Sequence, residues 1–353
     1  MADVASAAGV SVMTVSYTFG RPERVSAGIR ERVEAAAASL NYRGPDPAAR
    51  SLARGRTNSI GVIVGEGLSF LFEGPASTEF LAGIAEVCVE YEQNLLLIPA
   101  AGNTDDVSRV QEAPVDSYIY WTGVRDGPVL ERIVATGKRI AIQGPPPDSF
   151  SRSPASGSER IGVVTTDDRA AACAVTAKTF ASARAPAVVS FPLTPECHPR
   201  IVRGPAVSKV VYPGARARLR GIQEQCRRLE IPWRDVRVAV VARNNRADSR
   251  ALVSEFFAGK DRPDAVVAMS DELAFAVMDT VGSLGLQVPA DVALSGWDDS
   301  PAASAAGLTT VRQSLKDQGA RCALFVLGQK LETDPPSWTV IERASTRRLV
   351  PDR

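Results

Sequence analysis

Arginine side chains are concentrated in the first 57 residues of this chain. The segment contains eight arginines, no lysine and five acidic residues, a local charge of +3, whereas the whole 353-residue chain has a net charge of +1. Four of these arginines fall between residues 43 and 56, opposed only by Asp46. Clustered guanidinium groups bind phosphate, so the pattern indicates a basic module that contacts nucleic acid. An ordinary solvated, charged surface is the alternative.

Thiol and imidazole groups do not form a recognisable site in the sequence. Cys197 and His198 are adjacent, but His198 is the only histidine, so a zinc site with the usual ligands is not expected. The five cysteines are scattered without CxxC spacing, which is typical of reduced thiols in a cytoplasmic protein. The chain has no Gly-rich phosphate loop, no GxSxG motif and no metal-ligand cluster. We therefore expect neither an enzyme nor a bound metal or cofactor.

The sequence also shows no segment typical of a membrane span or a secretory signal. No apolar run approaches the roughly 20 residues that a membrane-spanning helix needs. No stretch at the N-terminus has the composition of a signal peptide. The sequence thus predicts a cytoplasmic protein without a membrane partner.

The basic N-terminal module must present its side chains on helices. Asp3 opens a first helix with small apolar residues on one face, and Gly9 allows the chain to turn. Ser11 caps a second helix, on which Val15 and Phe19 form the buried side. Two helices joined by so short a turn predict a helix-turn-helix, whose second helix fits a DNA major groove. An ordinary α-hairpin is the alternative.

A third helix and a linker follow. Ser26 caps a helix to about Leu40, with apolar residues at helical spacing that should pack on the first two helices: Ile29, Val33, Ala36 and Leu40. Pro45 and Pro47 end that helix. The next residues, AARSLARG, favour a helix too short to be stable alone, so we expect a segment that becomes helical only against a partner. A plain interdomain linker remains possible.

The rest of the chain alternates between apolar strands and amphipathic helices. The alternation runs from residue 59 to 144, breaks at a Pro- and Ser-rich stretch over 144–159, and starts again at 161–168. Such alternation predicts a doubly wound α/β architecture with parallel sheets. Two such halves form two lobes, with a ligand cleft at the carboxyl ends of the strands.

Several motifs, in order and at similar spacing, resemble the LacI/GalR family of bacterial transcriptional repressors. They cover nearly the whole chain and are DVASAAGVSVMTVS, RVSAGIRERVEAAAASLNY, AARSLARGRTNSIGV, VTTDDRAAA, RLRG, AMSDELA, GLQVPADVALSGWDDSPAA and LTTVRQ. The resemblance implies a helix-turn-helix domain at 1–43, a hinge at 44–57 and a two-lobed, periplasmic-binding-protein-like effector domain at 58–353. Lobe 1 comprises about 58–158 and 313–332, and lobe 2 about 159–312 and 333–353.

The resemblance implies how this protein contacts DNA. In the family, a homodimer or tetramer grips a pseudo-palindromic operator in double-stranded DNA. Val12, Met13 and Tyr17 match the base-reading positions, and Thr14 and Ser16 suit phosphate contact. Arg, which can read guanine, is common in the family where Tyr17 stands, so the operator sequence differs from those of better-known members.

The hinge and the N-terminus carry further expectations. Leu52 matches a side chain that wedges into the minor groove, with Ala49 beside it and Arg50 on phosphate. Gly20 stands where Asn is usual in the family. Only Met1 and Ala2 precede the DVA motif, so either the first helix begins near Asp3 or the natural start lies further upstream.

The effector is expected to bind in the cleft, and the resemblance implies a carbohydrate. Arg218 of RLRG matches the ligand-gripping arginine, and Asp298 of GWDD matches the ligand-binding carboxylate. The remaining candidates are two residues that depart from the usual family types, Ser270 and Gln143, and two aromatic residues that suit stacking on a sugar face, Phe72 and Trp297.

Three other acids near these motifs have a structural interpretation: Asp167, Asp271 and Asp299 are expected as helix caps or hydrogen-bond partners. The leading hypothesis is an effector-controlled transcriptional repressor. The alternative is a solute-binding protein of sugar transport or sensing, which shares the two-lobed body.

Overall fold

Asn58 ends the first of two units into which the chain divides, and the second unit begins at Ser59. The computed structural model describes residues 1–44, 55–65, 68–100, 104–121, 127–145, 159–194, 198–259, 261–330 and 337–346.

Local sequence signals position the helices of the first unit. They span Ala2–Ala8 (α1), Val12–Gly20 (α2) and Ala27–Ser39 (α3). Gly9 has a φ of 64°, and its N–H donates to the carbonyls of Ala5 and Ser6, so a residue without a Cβ ends α1. The Ser11 hydroxyl accepts a hydrogen bond from the Thr14 N–H at 3.1 Å and caps α2, as predicted.

Small apolar side chains form the core of this unit. Its buried members are Val4, Ala5, Ala8, Val15, Val33, Ala36 and Ala37. Phe19 and Tyr42 pack edge to face beside them, with ring centroids 5.7 Å apart. Leu40, in contrast, is 47% exposed, so the prediction that it packs on the first two helices is wrong. It lies just beyond the end of α3, where the helical periodicity no longer determines which way a side chain points.

The second unit begins with a five-stranded sheet. Its strands are Ser59–Val64 (β1), Asn94–Pro99 (β2), Ser117–Trp121 (β3), Arg139–Gln143 (β4) and Ile161–Val164 (β5). The order is β2-β1-β3-β4-β5, and every pair is parallel. The helices between these strands are Phe70–Glu73 (α4), Pro75–Glu90 (α5), Thr104–Glu112 (α6) and Pro128–Ala135 (α7). Because helices cover a parallel sheet, β1 and β3 are almost completely buried.

A seven-stranded sheet forms the other lobe. Its strands are Pro186–Ser190 (β6), Arg200–Arg203 (β7), Arg237–Val240 (β8), Ala265–Ala268 (β9), Ala293–Trp297 (β10), Thr309–Gln313 (β11) and Trp338–Ile341 (β12). The order is β12-β11-β10-β9-β6-β8-β7, with the two edge strands antiparallel to their neighbours. The later helices are Asp168–Thr179 (α8), Pro213–Arg228 (α9), Arg246–Ala258 (α10), Asp271–Ser283 (α11), Pro301–Ala305 (α12) and Leu315–Val326 (α13).

Strand β5 corrects the predicted boundary between the lobes. The prediction placed lobe 2 from residue 159, but Ile161–Val164 pairs with β4 and belongs to the first sheet. Strand-helix alternation along the chain does not say which sheet a strand joins, and here pairing with the edge of β4 decides it. The chain crosses to the second lobe after Val164, and it returns between β11 and α13.

Helix α13 packs on the first lobe although it follows strands of the second. A glycine on each helix leaves no space for a Cβ. A Cβ on Gly319 of α13 would lie 2.1 Å from the Phe80 carbonyl oxygen, and one on Gly83 of α5 would lie 1.9 Å from the Lys316 carbonyl oxygen. The two helices therefore meet backbone to backbone. Strand β7 was not predicted, and it begins at the end of the Pro-rich stretch PLTPECHPR.

Candidate functional site

The start of α2 presents two apolar side chains. Val12 is 47% exposed and Met13 is 63% exposed, and they are the first two residues of the helix. Ser16 is exposed, whereas Tyr17 is half-buried with the Arg24 guanidinium 5.8 Å from its ring centroid. These positions suit the predicted base and phosphate contacts, which stay predictions.

Thr14 already has a role within the first unit. Its N–H donates to the Ser11 hydroxyl, and its own hydroxyl lies 2.9 Å from that oxygen. The predicted phosphate contact by Thr14 would therefore come from the cap of α2. The hinge candidates Ala49, Arg50 and Leu52 lie outside the described residues, and their roles also stay predictions.

The second candidate site is built around the guanidinium of Arg218. This residue lies on the second turn of helix α9 and is only 8% exposed. The centre of this group lies 3.9 Å from the Trp297 ring centroid and 5.3 Å from that of Phe191. Its Nη1 donates to the Met269 carbonyl, and its Nε lies 3.6 Å from Oδ2 of Asp168. Parallel strands deliver Phe191, Met269 and Trp297 at or just after their carboxyl ends.

Asp298 directly follows β10 at the same end of the second sheet. It adopts a φ of 109°, and its carboxylate accepts a 2.7 Å hydrogen bond from Nε2 of Gln313. Burial raises the pKa of Asp298 to about 8, an effect that Asp271 and Asp168 reinforce and Arg218 opposes. The structure thus brings Arg218, Asp298 and Trp297 together.

Asp271 and Asp299 have structural partners, as predicted. Asp271 accepts hydrogen bonds from the Ser300 N–H and the Thr310 hydroxyl, both at 2.7 Å. Asp299 binds two guanidinium groups, those of Arg312 and Arg343, each at 2.6 Å. Asp167 caps α8 by accepting from the Ala170 N–H at 2.9 Å.

Two effector candidates are already engaged with other side chains. Ser270 is buried, caps α11 through the Leu273 N–H and donates to Oδ1 of Asn244. Gln143 ends β4 in the first lobe, and its Nε2 donates to Oε1 of Gln318 at 2.8 Å.

The aromatic candidates differ sharply in exposure. Phe72 is 66% exposed on the short helix α4, and its predicted stacking on a ligand stays a prediction. Trp297 is 1% exposed, and the Arg218 guanidinium lies over its ring. The Trp297 ring is therefore already stacked with a buried cation, and its predicted stacking on a sugar stays a prediction.

Sequence reasoning missed three members of the Arg218 cluster. Asp168 and Phe191 flank the guanidinium, and Gln313 binds Asp298. A weak signal existed for Asp168, because it is the second of two adjacent acids and only one is needed to cap α8. Phe191 and Gln313 gave no such signal, since their role depends on which strands become neighbours.

Two other features lie apart from this cluster. Helices α8 and α9 line a surface pocket of about 490 Å³ that contains Arg169, Cys173, Glu224 and Arg228. Glu224 binds both arginines at 2.7 Å, so its one negative charge offsets one of their two positive charges. Within the described ranges, no group of three His, Cys, Asp or Glu side chains is arranged to hold a metal ion.

Comparison with known proteins identifies the family. The model for bacterial regulatory proteins of the lacI family matches residues 1–44, and the model for a periplasmic binding protein-like domain matches residues 204–348. The HTH-type transcriptional regulator IpsA of Corynebacterium glutamicum is 31% identical over 330 residues, which cover 93% of this chain and 90% of that protein. The chain belongs to the lacI family of bacterial regulatory proteins.

Other relatives agree with this membership. The ribose operon repressor of Escherichia coli is 29% identical over 341 residues, covering 93% of this chain and 91% of that protein. The crystal structure of a LacI-family transcriptional regulator from Corynebacterium glutamicum superposes with a TM-score of 0.73 at 25% identity, covering 98% of both chains. The predicted fold class is confirmed, and this LacI-family protein is a transcriptional regulator. No helix in the described part of the chain is long and apolar enough to cross a membrane.

Proposed function

We propose that this LacI-family regulator is a repressor that binds a pseudo-palindromic operator in double-stranded DNA as a homodimer or tetramer. The observation that carries this proposal is the capped helix α2, which presents Val12 and Met13 at its exposed start. Exposed apolar side chains there suit the methyl groups of thymine in the major groove. A protein that acts on chromosomal DNA works in the cytoplasm, and we propose no catalytic step for it.

The operator affinity is controlled by a small molecule, a carbohydrate, bound near Arg218 and Asp298. Carboxyl and guanidinium groups at the carboxyl ends of parallel strands support this site, since each can make two hydrogen bonds to ligand hydroxyls. The name of the Escherichia coli relative, the ribose operon repressor, supports a sugar as the effector class.

The effector acts by shifting a population of conformations. Asp298 binds Gln313, the last residue of β11, and the chain crosses between the lobes directly after it. A ligand that takes part in the Asp298 hydrogen bonds therefore biases the angle between the lobes. A change in that angle moves the hinges of two subunits together or apart, which strengthens or weakens their joint grip on DNA.

Fluorescence anisotropy tests the proposal with labelled duplexes that tile the DNA upstream of the protein's own gene. We expect one duplex to bind selectively and to lose affinity as the salt concentration rises. Equal binding to every duplex would contradict a sequence-specific repressor.

Leu52→Ala tests the predicted hinge wedge. Loss of an apolar wedge should weaken binding to the selected duplex by about tenfold, or ~1.4 kcal/mol, and leave binding to unrelated duplexes nearly unchanged. Leu40→Ala is the matched control, because Leu40 is 47% exposed at the end of α3. An equal loss on both classes of duplex would refute the wedge.

A further inference from the structure

The positive charge of Arg218 already has a partner within the protein. Its Nε lies 3.6 Å from Oδ2 of Asp168, and the two side chains are only 9% and 10% exposed. Asp168 is the first residue of α8, and its other oxygen accepts from the Thr166 hydroxyl at 3.2 Å. Burial raises the pKa of Asp168 and Arg218 opposes that rise, so the carboxyl and the guanidinium form a coupled pair.

Among the residues that the structure describes, the neighbours of this pair add carboxyl groups and no further unpaired cation. Asp298 and Asp271 both interact electrostatically with the cluster. The guanidinium groups of Arg312 and Arg343 are each bound to Asp299 at 2.6 Å.

The charge of the cluster is therefore limited in every protonation state. Arg218 contributes one positive charge, and Asp168, Asp271 and Asp298 are each neutral or negative. The cluster reaches +1 only when all three acids carry a proton, and it is neutral or negative whenever Asp168 is ionised beside Arg218. A phosphate monoester brings a charge of about −1.5 to −2 at neutral pH, which no state of this cluster balances. Burying such an anion without a matching cation is strongly unfavourable.

Hydroxyl groups fit the same atoms better than an anion does. At 3.6 Å from Asp168, the buried Nε of Arg218 forms an ion pair but makes no hydrogen bond among the described residues, so it can still donate to a hydroxyl oxygen. The carboxyl oxygens of Asp298 and Asp168 can accept hydroxyl protons. A hydroxyl both donates and accepts, whereas a phosphate dianion only accepts.

We propose that Asp168, paired with Arg218, is a specificity-determining residue that admits uncharged, hydroxyl-rich effectors and rejects phosphorylated ones. This inference rests on the proposed function, since it assumes that the effector binds at Arg218 and Asp298. It names the class of effector and assigns Asp168 the task of neutralising the arginine that an anion would otherwise use.

Matched pairs of sugar and sugar phosphate test the proposed preference for uncharged effectors on the full-length wild-type protein. Thermal shift and calorimetry would compare glucose with glucose 6-phosphate, ribose with ribose 5-phosphate, and inorganic phosphate alone. We expect stabilisation by unphosphorylated members only. The proposal is overturned if the wild-type protein binds any phosphorylated member at least as tightly as its sugar. It is also overturned if the protein binds inorganic phosphate more tightly than both sugars.

Asp168→Asn tests the assigned residue with inorganic phosphate and ribose 5-phosphate as probes. Removing one carboxylate beside Arg218 should raise affinity for both probes by about tenfold or more. Asp167→Asn is the matched control: it changes the adjacent acid, keeps a side chain that caps α8, and should leave both affinities unchanged. No gain in Asp168→Asn, or an equal gain in the control, counts against the role of Asp168.

Operator binding separates this inference from the proposed function. The anisotropy experiment is run on the same wild-type preparation without ligand. Absence of sequence-selective DNA binding would contradict the proposed function. Selective DNA binding together with a preference for phosphorylated sugars would contradict only the proposed preference for uncharged effectors.

Discussion

Helix α2 and the Arg218 cluster hold their candidate side chains in opposite ways. Val12 and Met13 project from α2 with 47% and 63% of their surface exposed, and the unit's core does not use them. Arg218 and Trp297 are 8% and 1% exposed and pack on each other. Exposed side chains on a helix surface are available to a binding partner, but buried polar groups must find their hydrogen-bond partners within the protein. Function and stability should therefore separate in α2 and remain coupled in the cluster.

Arg218→Met should produce the largest effect and tests the coupling directly. It leaves Asp168 buried without its cation and Trp297 without its stacked partner. Removing one member of a buried ion pair costs about 3–5 kcal/mol, so we expect a loss of that size in the free energy of unfolding. Urea denaturation followed by tryptophan fluorescence measures it. A loss below about 1 kcal/mol would show that the cluster is not coupled to stability.

Val15→Ala should have a smaller effect, confined to the first unit. Val15 is fully buried in a core of seven residues, and shortening it should destabilise that unit by roughly 2 kcal/mol. Operator binding should weaken as the unit unfolds. All four tryptophans, Trp121, Trp233, Trp297 and Trp338, belong to the second unit, so the fluorescence transition should not move. A shifted transition would contradict independent units.

The raised pKa of Asp298 predicts a pH dependence of the stability of the second unit. Its pKa is raised to about 8, so the folded state binds this proton more tightly than the unfolded chain does. The contribution of Asp298 to stability is thus full at low pH and is lost as the pH rises through about 8, with a slope near 1.4 kcal/mol per pH unit for one proton. Asp298→Asn can still accept from Gln313 but does not titrate. The difference in unfolding free energy between wild type and variant, measured from about pH 5 to pH 8, should move in favour of the variant. A constant difference would mean that Asp298 has an ordinary pKa.

Met13→Ala should have the smallest effect on stability and tests the other side of the comparison. Because Met13 is exposed, the free energy of unfolding should change by less than about 0.5 kcal/mol. Affinity for the selected duplex should fall by about 1 kcal/mol, with less change on unrelated duplexes. Ser16→Ala is the contrasting variant, since loss of a phosphate contact should weaken all duplexes alike. A large loss of stability in Met13→Ala would remove the distinction between the two regions.

Local signals explain which parts of the fold the sequence predicted well. Gly9 ends α1 and Ser11 caps α2 because a left-handed turn and a capping hydroxyl depend only on neighbouring residues. The alternating strands and helices of the second unit were predicted for the same reason. The errors lie where a distant partner decides, as for β5, which joins the first sheet through its pairing with β4.

The Arg218 cluster shows the same limit at the level of a site. Arg218 and Asp298 were expected from short motifs, and the structure places them together. Trp297 was expected on a ligand but lies under the guanidinium, and Asp168 was passed over although it pairs with Arg218. Residues 168, 218 and 298 are far apart in the chain, so only the packing of α8 and α9 on the second sheet makes them neighbours.

The sequence by itself determined the helix-turn-helix and the α/β class, because capping, turn chemistry and hydrophobic periodicity act over a few residues. The family was indicated by the resemblance of its motifs. The tertiary structure alone decided which side chains surround Arg218, which of them are buried and how their charges combine. Burial and charge balance are properties of neighbours in space, and no local pattern in the chain specifies them.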